Sequence, residues 1–185
     1  KGAKYFESFA KADTIVFDKT GTLTEAQPRL ARVFTTDGWS EDDVLRFSAC
    51  LEEHFPHPVA RAVVNAAKAR GLEHRERHAA VEYIVAHGIA SSIEGRRAVI
   101  GSAHFVFEDE RVLMDSEARE RVESEMQGFS SLYLAVDGEV VGVLGIEDSL
   151  KPGVKEAIAE LHALGVKHVV MLTGDSDRTA RRIAR

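Results

Sequence analysis

Apolar residues recur along the chain with two spacings, and each spacing marks an element. Thr14-Ile15-Val16-Phe17, β-branched or aromatic and bounded by polar sequence, predicts a short buried parallel strand ending at Asp18. Leu30-Ala31-Arg32-Val33-Phe34 alternates as a strand does. Ser40 with Asp43 three residues on reads as a helix N-cap, and Val44, Phe47, Ser48 and Leu51 keep helical spacing, predicting a helix over 41–53. Pro58 fits the first position of a second helix, whose stripe of Val59, Ala62, Val63, Ala66 and Ala67 lasts until Gly71.

Beyond Gly71 the spacing turns to alternation. Strands are predicted over 81–85, 89–93 and 97–102, with turns at Ala86-His87-Gly88 and Glu94-Gly95-Arg96. A charged helix over 117–127, capped by Ser116, turns Val122 and Met126 inward. The runs 131–136 and 139–146 around Asp137-Gly138 form the clearest hairpin. Pro152 opens a helix with Val154, Ala157, Ile158 and Leu161 toward the core, and Gly165 ends it. The run 166–172 is a second buried strand, stopping at Thr173-Gly174-Asp175. Residues 1–12, with Tyr5, Phe6 and Phe9 among lysines, read as a helical lead-in.

This order implies an α/β chain of two parts. Segments 1–24 and 148–185 form a partial Rossmann-like domain, interrupted by an α+β domain over 25–147 built on an antiparallel sheet.

Composition narrows the functional classes. Of 185 residues, 44% are hydrophobic and 29% charged, enough apolar sequence to bury a core. A formal net charge of -6 argues against a nucleic-acid binder, which carries a basic face. Cys50 is the single cysteine, so no internal disulfide or Cys-x-x-Cys site can form, and a small buried hydrophobe is expected. No apolar run reaches the roughly 18 residues needed to span a bilayer. His74 and His78 lie four apart, but the basic Arg75 and Arg77 beside them and the lack of a cysteine partner predict a solvated surface.

The candidate chemistry begins at Asp18, expected at the carboxyl end of a strand, where open α/β sheets bind ligands. Gly21 permits a tight turn, Lys19 adds a positive charge, and Thr20, Thr22 and Thr24 add hydroxyl donors. A carboxylate among donors and a cation suits a nucleophile for a phosphoryl group. His57 stands at the mouth of the Pro58 helix, where free backbone N–H groups point outward.

Asp18-Lys19-Thr20-Gly21-Thr22-Leu23-Thr24 resembles the phosphorylation signature of P-type ATPases, ion pumps of the haloacid dehalogenase superfamily. The resemblance implies that Asp18 accepts the γ-phosphate of ATP as an aspartyl phosphate, and that the Thr20 carbonyl joins it in holding Mg²⁺. Soluble phosphatases of the superfamily place a second aspartate two residues after the nucleophile. Thr20 stands there and cannot take a proton from water near neutral pH, so the phosphoaspartate should persist.

Thr173-Gly174-Asp175 is similar to the pumps' Thr-Gly-Asp motif, whose threonine hydroxyl and glycine N–H hold phosphoryl oxygens. Asp148-Ser149-Leu150-Lys151-Pro152 resembles their hinge. Glu52, followed five residues on by His57-Pro58, is similar to the adenine pocket of heavy-metal pumps. Those pumps carry Gly-x-Gly where this chain has Ala86 and Gly88, and Gly-Asn where it has Gly101-Ser102. The resemblance thus implies a nucleotide site of Glu52, His57, Ala86, Gly88 and Ser102, on the cytoplasmic face of a membrane pump. The remaining family motifs, a lysine and Gly-Asp-Gly-x-Asn-Asp, lie C-terminal to this point in the family, and this stretch alone is expected to hydrolyse ATP negligibly. The partners implied are ATP, a transported metal cation and the rest of the same pump. A soluble phosphatase with a cap domain and a non-catalytic nucleotide-sensing module remain as alternatives.

Overall fold

The computed structural model describes residues 11–72 and 88–173 together with the backbone of 82–84. It divides into two compact units, Lys1–Ala26 with Asp148–Arg185, and Gln27–Glu147.

In the first unit, β1 (Thr14–Asp18) pairs in parallel with β8 (His168–Leu172), Thr14 opposite His168 and Asp18 opposite Leu172. Both strands were expected to be buried, yet Val16, Val170 and Leu172 are exposed. Among the described residues this sheet has two strands, too few to cover both faces. Helix α4 (Val154–Ala163) precedes β8. It starts after Pro152 rather than at it, because Gly153 adopts a left-handed φ of 82° at the N-cap. Val154, Ile158 and Leu161 are half-buried, while Ala157, expected toward the core, is exposed.

The chain crosses between the units along β2 (Thr24–Thr35) and β7 (Glu139–Leu150). In the second unit the sheet order is β2-β7-β6-β5-β4-β3, with β3 at Glu82–Ile84, β4 at Gly88–Ile93, β5 at Arg96–Gly101 and β6 at Ser130–Val136. The pairings from β3 through β7 are antiparallel, as expected. Two hairpins close through Glu94-Gly95 and Asp137-Gly138, and all four turn residues have positive φ, the type I′ geometry that matches strand twist.

Alternation along the strands separates two apolar layers. Ile89, Ile93, Ala98, Ile100, Leu134 and Val136 pack with helices α1 (Glu41–Glu52) and α2 (Pro58–Ala69). Ala90, Val99 and Ala135 join the other layer, with Phe105, Val106, Val122 and Met126. Helix α1 lies close on β7: a Cβ added at Gly142 would come within 2.5 Å of the Val44 side chain. Ser40 caps α1 as predicted, its Oγ accepting from Asp43 N at 3.1 Å. Helix α3 (Ser116–Glu125) is capped one residue earlier than expected. Asp115 accepts from Glu117 N and Ala118 N, both at 3.1 Å, so Ser116 is already helical. Cys50 is free and buried. His74 and His78 lie outside the described residues.

Candidate active site

Asp18 closes β1 with its side chain exposed. Its register partner Leu172 immediately precedes Thr173, so parallel pairing brings the two chemistry-bearing strand ends together. Gly174 and Asp175 lie outside the described residues.

Lys19–Leu23 forms a tight turn, with Gly21 at a left-handed φ of 79°. Thr24 and Lys151 hold it. Thr24 Oγ1 accepts from Gly21 N at 3.3 Å, donates to Asp148 Oδ2 at 2.6 Å, and lies 3.3 Å from Lys19 O. Lys151 N donates to Leu23 O at 2.9 Å, and Lys151 Nζ donates to Gly21 O. Thr24 is 0% exposed, so its hydroxyl braces the turn instead of facing a ligand, contrary to the expectation for all three threonines. Thr20 and Thr22 are exposed. Lys19, the positive charge of the motif, is only 6% exposed. Sequence reading identified Asp148 and Lys151 as hinge residues and missed that their side chains brace the Asp18 turn. No signal in the chain connects positions 124 residues apart.

In the second unit, Glu52 ends α1 and is 8% exposed. Burial alone pushes its carboxyl up from an ordinary 4.5 to about 7. A glutamate there is half-protonated at neutral pH and can donate or accept a hydrogen bond. Phe55 N donates to Glu52 O at 3.0 Å, fixing the chain as it leaves the helix. His57 is the N-cap of α2, its Nδ1 accepting from Val59 N at 3.3 Å. That bond assigns the proton of the neutral ring to Nε2, on an exposed imidazole. Glu52 and His57 thus flank the short link between two helices packed in one apolar layer.

Gly88 and Ser102 have structural duties the sequence did not disclose. A Cβ at Gly88 would lie 2.2 and 2.4 Å from Phe105 ring carbons and 2.6 Å from Ile100 O, so the missing side chain makes room for Phe105. Ser102 Oγ accepts from Phe105 N at 3.3 Å, where the wide helical turn Phe105–Asp109 begins. Ala86 lies outside the described residues.

The haloacid dehalogenase-like hydrolase profile matches residues 12–185, nearly the whole chain. The chain belongs to that family. Among curated relatives, the probable copper-exporting P-type ATPase V of Mycobacterium tuberculosis (strain CDC 1551 / Oshkosh) is 39% identical over 185 residues. The alignment takes in all of this chain, which spans about a quarter of that relative's length (24%). Among solved structures, a zinc-transporting PIB-type ATPase in the E2.Pi state is 33% identical with a TM-score of 0.73, covering 100% of this chain and 29% of that one. The N-domain of HMA8, a copper-transporting P-type ATPase, is 28% identical with a TM-score of 0.58, covering 64% of this chain and 99% of that domain. This haloacid dehalogenase-like chain is therefore homologous to the catalytic region of heavy-metal P-type ATPases, as its Asp18 motif implied for the family and Glu52 with His57-Pro58 for the heavy-metal branch. No helix among its described residues is long and apolar enough to cross a membrane.

Proposed function

We propose that this chain is the ATP-binding and phosphorylating portion of a heavy-metal-exporting P-type ATPase, with Asp18 the residue phosphorylated. The observation carrying this reading is the register of β1 on β8, which sets an exposed carboxylate beside Thr173. One Asp18 carboxylate oxygen attacks the γ-phosphorus of ATP, the bond from that phosphorus to the β,γ-bridging oxygen breaks, and ADP departs. Thr173, with Gly174 and Asp175, is the partner segment for the transferred phosphoryl group. Thr20 leaves no proton acceptor two residues after the nucleophile, which favours a lasting acyl phosphate over a phosphatase cycle.

Asp18 and the Thr20 carbonyl would hold Mg²⁺, which when bound offsets charge on the phosphoryl oxygens. The fit is partial. Among the described residues no group of three or more His, Cys, Asp or Glu could hold a metal. A single carboxylate is compatible with an ion that keeps waters and shares phosphate oxygens. Glu52 and His57 are the proposed adenine contacts: a half-protonated carboxyl and an Nε2–H beside the Glu52–His57 link. Gly88, Ala86 and Ser102 complete that proposed site. The exported cation would pass through a membrane part of the pump, with these units on the cytoplasmic face.

The test uses the intact pump and γ-labelled ATP. Acid-stable label is expected on the wild type and absent from Asp18→Asn. Label retained in Asp18→Asn would overturn the assignment.

A further inference from the structure

The second unit holds a cavity of about 380 Å³ that none of the proposed nucleotide contacts lines. Its floor is apolar, formed by Phe34, Met114 and Val140. Phe34 and Val140 belong to the layer on the sheet face opposite α1 and α2. Beside the floor, Leu113 is 73% exposed. Its backbone is nonetheless held at both groups: Leu113 N donates to Gly138 O at 3.0 Å, and Leu113 O accepts from Val140 N at 3.2 Å. Leu113 is thus an apolar side chain presented from fixed backbone beside the cavity rather than part of a frayed loop.

The rim is acidic. Asp37, Asp115, Glu117 and Glu139 line the cavity together with a single guanidinium, that of Arg121. Asp115 spends its Oδ2 capping α3. Arg121 stacks over the Phe34 ring, 5.1 Å from its centroid. A guanidinium of the chain itself therefore already rests on the Phe34 part of the floor. The carboxylates are too dispersed for a point charge, since no metal-holding group of three occurs among the described residues. Dispersed negative charge around an apolar floor instead complements a long side chain with an aliphatic stem and a charged tip.

We infer that this cavity docks a basic segment of a partner polypeptide, with an arginine or lysine stem over Leu113, Met114 and Val140 and its cationic head toward Asp37, Glu117 and Glu139. The site is separate from the nucleotide reading and does not depend on it.

The test is titration of the ¹⁵N-labelled chain with a capped hexapeptide of alternating arginine and leucine. The acidic counterpart (glutamate for arginine) and spermidine serve as controls. Saturable amide shifts are expected around Leu113, Glu117 and Glu139, weakening as salt rises through the physiological range. Glu139→Gln and Leu113→Ser should each weaken binding by about fivefold or more, with nucleotide affinity unchanged. Shifts spread over acidic surfaces elsewhere, equal binding of spermidine or the acidic peptide, no saturable binding, or an indifferent Leu113→Ser would each overturn the inference. Loss of nucleotide binding by the wild type would sink the pump reading alone, since no tested residue lies on α1 or α2.

Discussion

Thr24 donates a 2.6 Å hydrogen bond to Asp148, joining the residue that ends the Asp18 turn to the residue that begins the returning segment. Thr24 is fully buried, and its hydroxyl oxygen also accepts from Gly21 N. The bond to a carboxylate is charge-assisted, so it contributes more than a neutral one. Thr24→Val should therefore destabilise the chain by about 2 kcal/mol in urea denaturation, and Thr24→Ser should recover most of that loss. A valine variant as stable as wild type would show that the turn stands without this brace.

Glu52 makes stability depend on pH in a direction opposite to most carboxylates. Its folded pKa of about 7 lies above the ordinary 4.5, so the folded state keeps a proton that the unfolded chain releases. Stability is then unpenalised below the unfolded value and falls as pH rises toward 7, by about 3 kcal/mol in all. Urea denaturation from pH 4 to 8, comparing wild type with Glu52→Gln, isolates this slope. The difference between the two should grow across that window and level off above it. A constant difference would mean the carboxyl ionises as it does in the unfolded chain.

Gly88→Ala should cost about 1–3 kcal/mol in thermal or urea unfolding, because the added carbon meets the Phe105 ring and a backbone carbonyl that cannot yield. Phe105→Leu in the same background should return part of the loss, since a smaller side chain vacates the space. If the double variant were no better than the sum of the two single ones, the clash would not be the cause.

His57 has two separable roles, as a helix cap and as the proposed adenine contact. His57→Ala removes both, with an expected cost of about 1 kcal/mol from the lost cap and weaker ATP binding by calorimetry. His57→Asn keeps an N-cap acceptor but lacks the ring. It should restore stability without restoring affinity. Equal ATP affinity in wild type and both variants would remove His57 from the pocket.

The local elements were legible because each rests on neighbours in the chain. Ser40 and Pro58 announce α1 and α2, Gly95 and Asp137-Gly138 announce the hairpin turns, and the continuous β-branched and aromatic run before Asp18 announces β1. The family was legible for a related reason, since seven consecutive residues, 18–24, carry its chemistry on one turn. The errors arose where a residue's role depends on a distant one. Thr24 looked like a ligand donor until Asp148 was found beside it. Gly88 carries a duty beside its proposed nucleotide contact that the chain order did not show, leaving room for Phe105. Lys19 was legible as a positive charge, but its burial was not.

By itself, then, the order of residues determined which segments are helix or strand, the antiparallel inserted sheet, and the phosphorylation motif. Hydrophobic spacing, caps and turn residues act over a few positions, and that range can be read along a chain. Tertiary structure alone decided which motif groups face outward and which are consumed in holding the turn, and it assembled the acidic cavity beside Leu113. Burial and hydrogen-bond pairing depend on contacts between residues far apart in sequence, which no local pattern encodes.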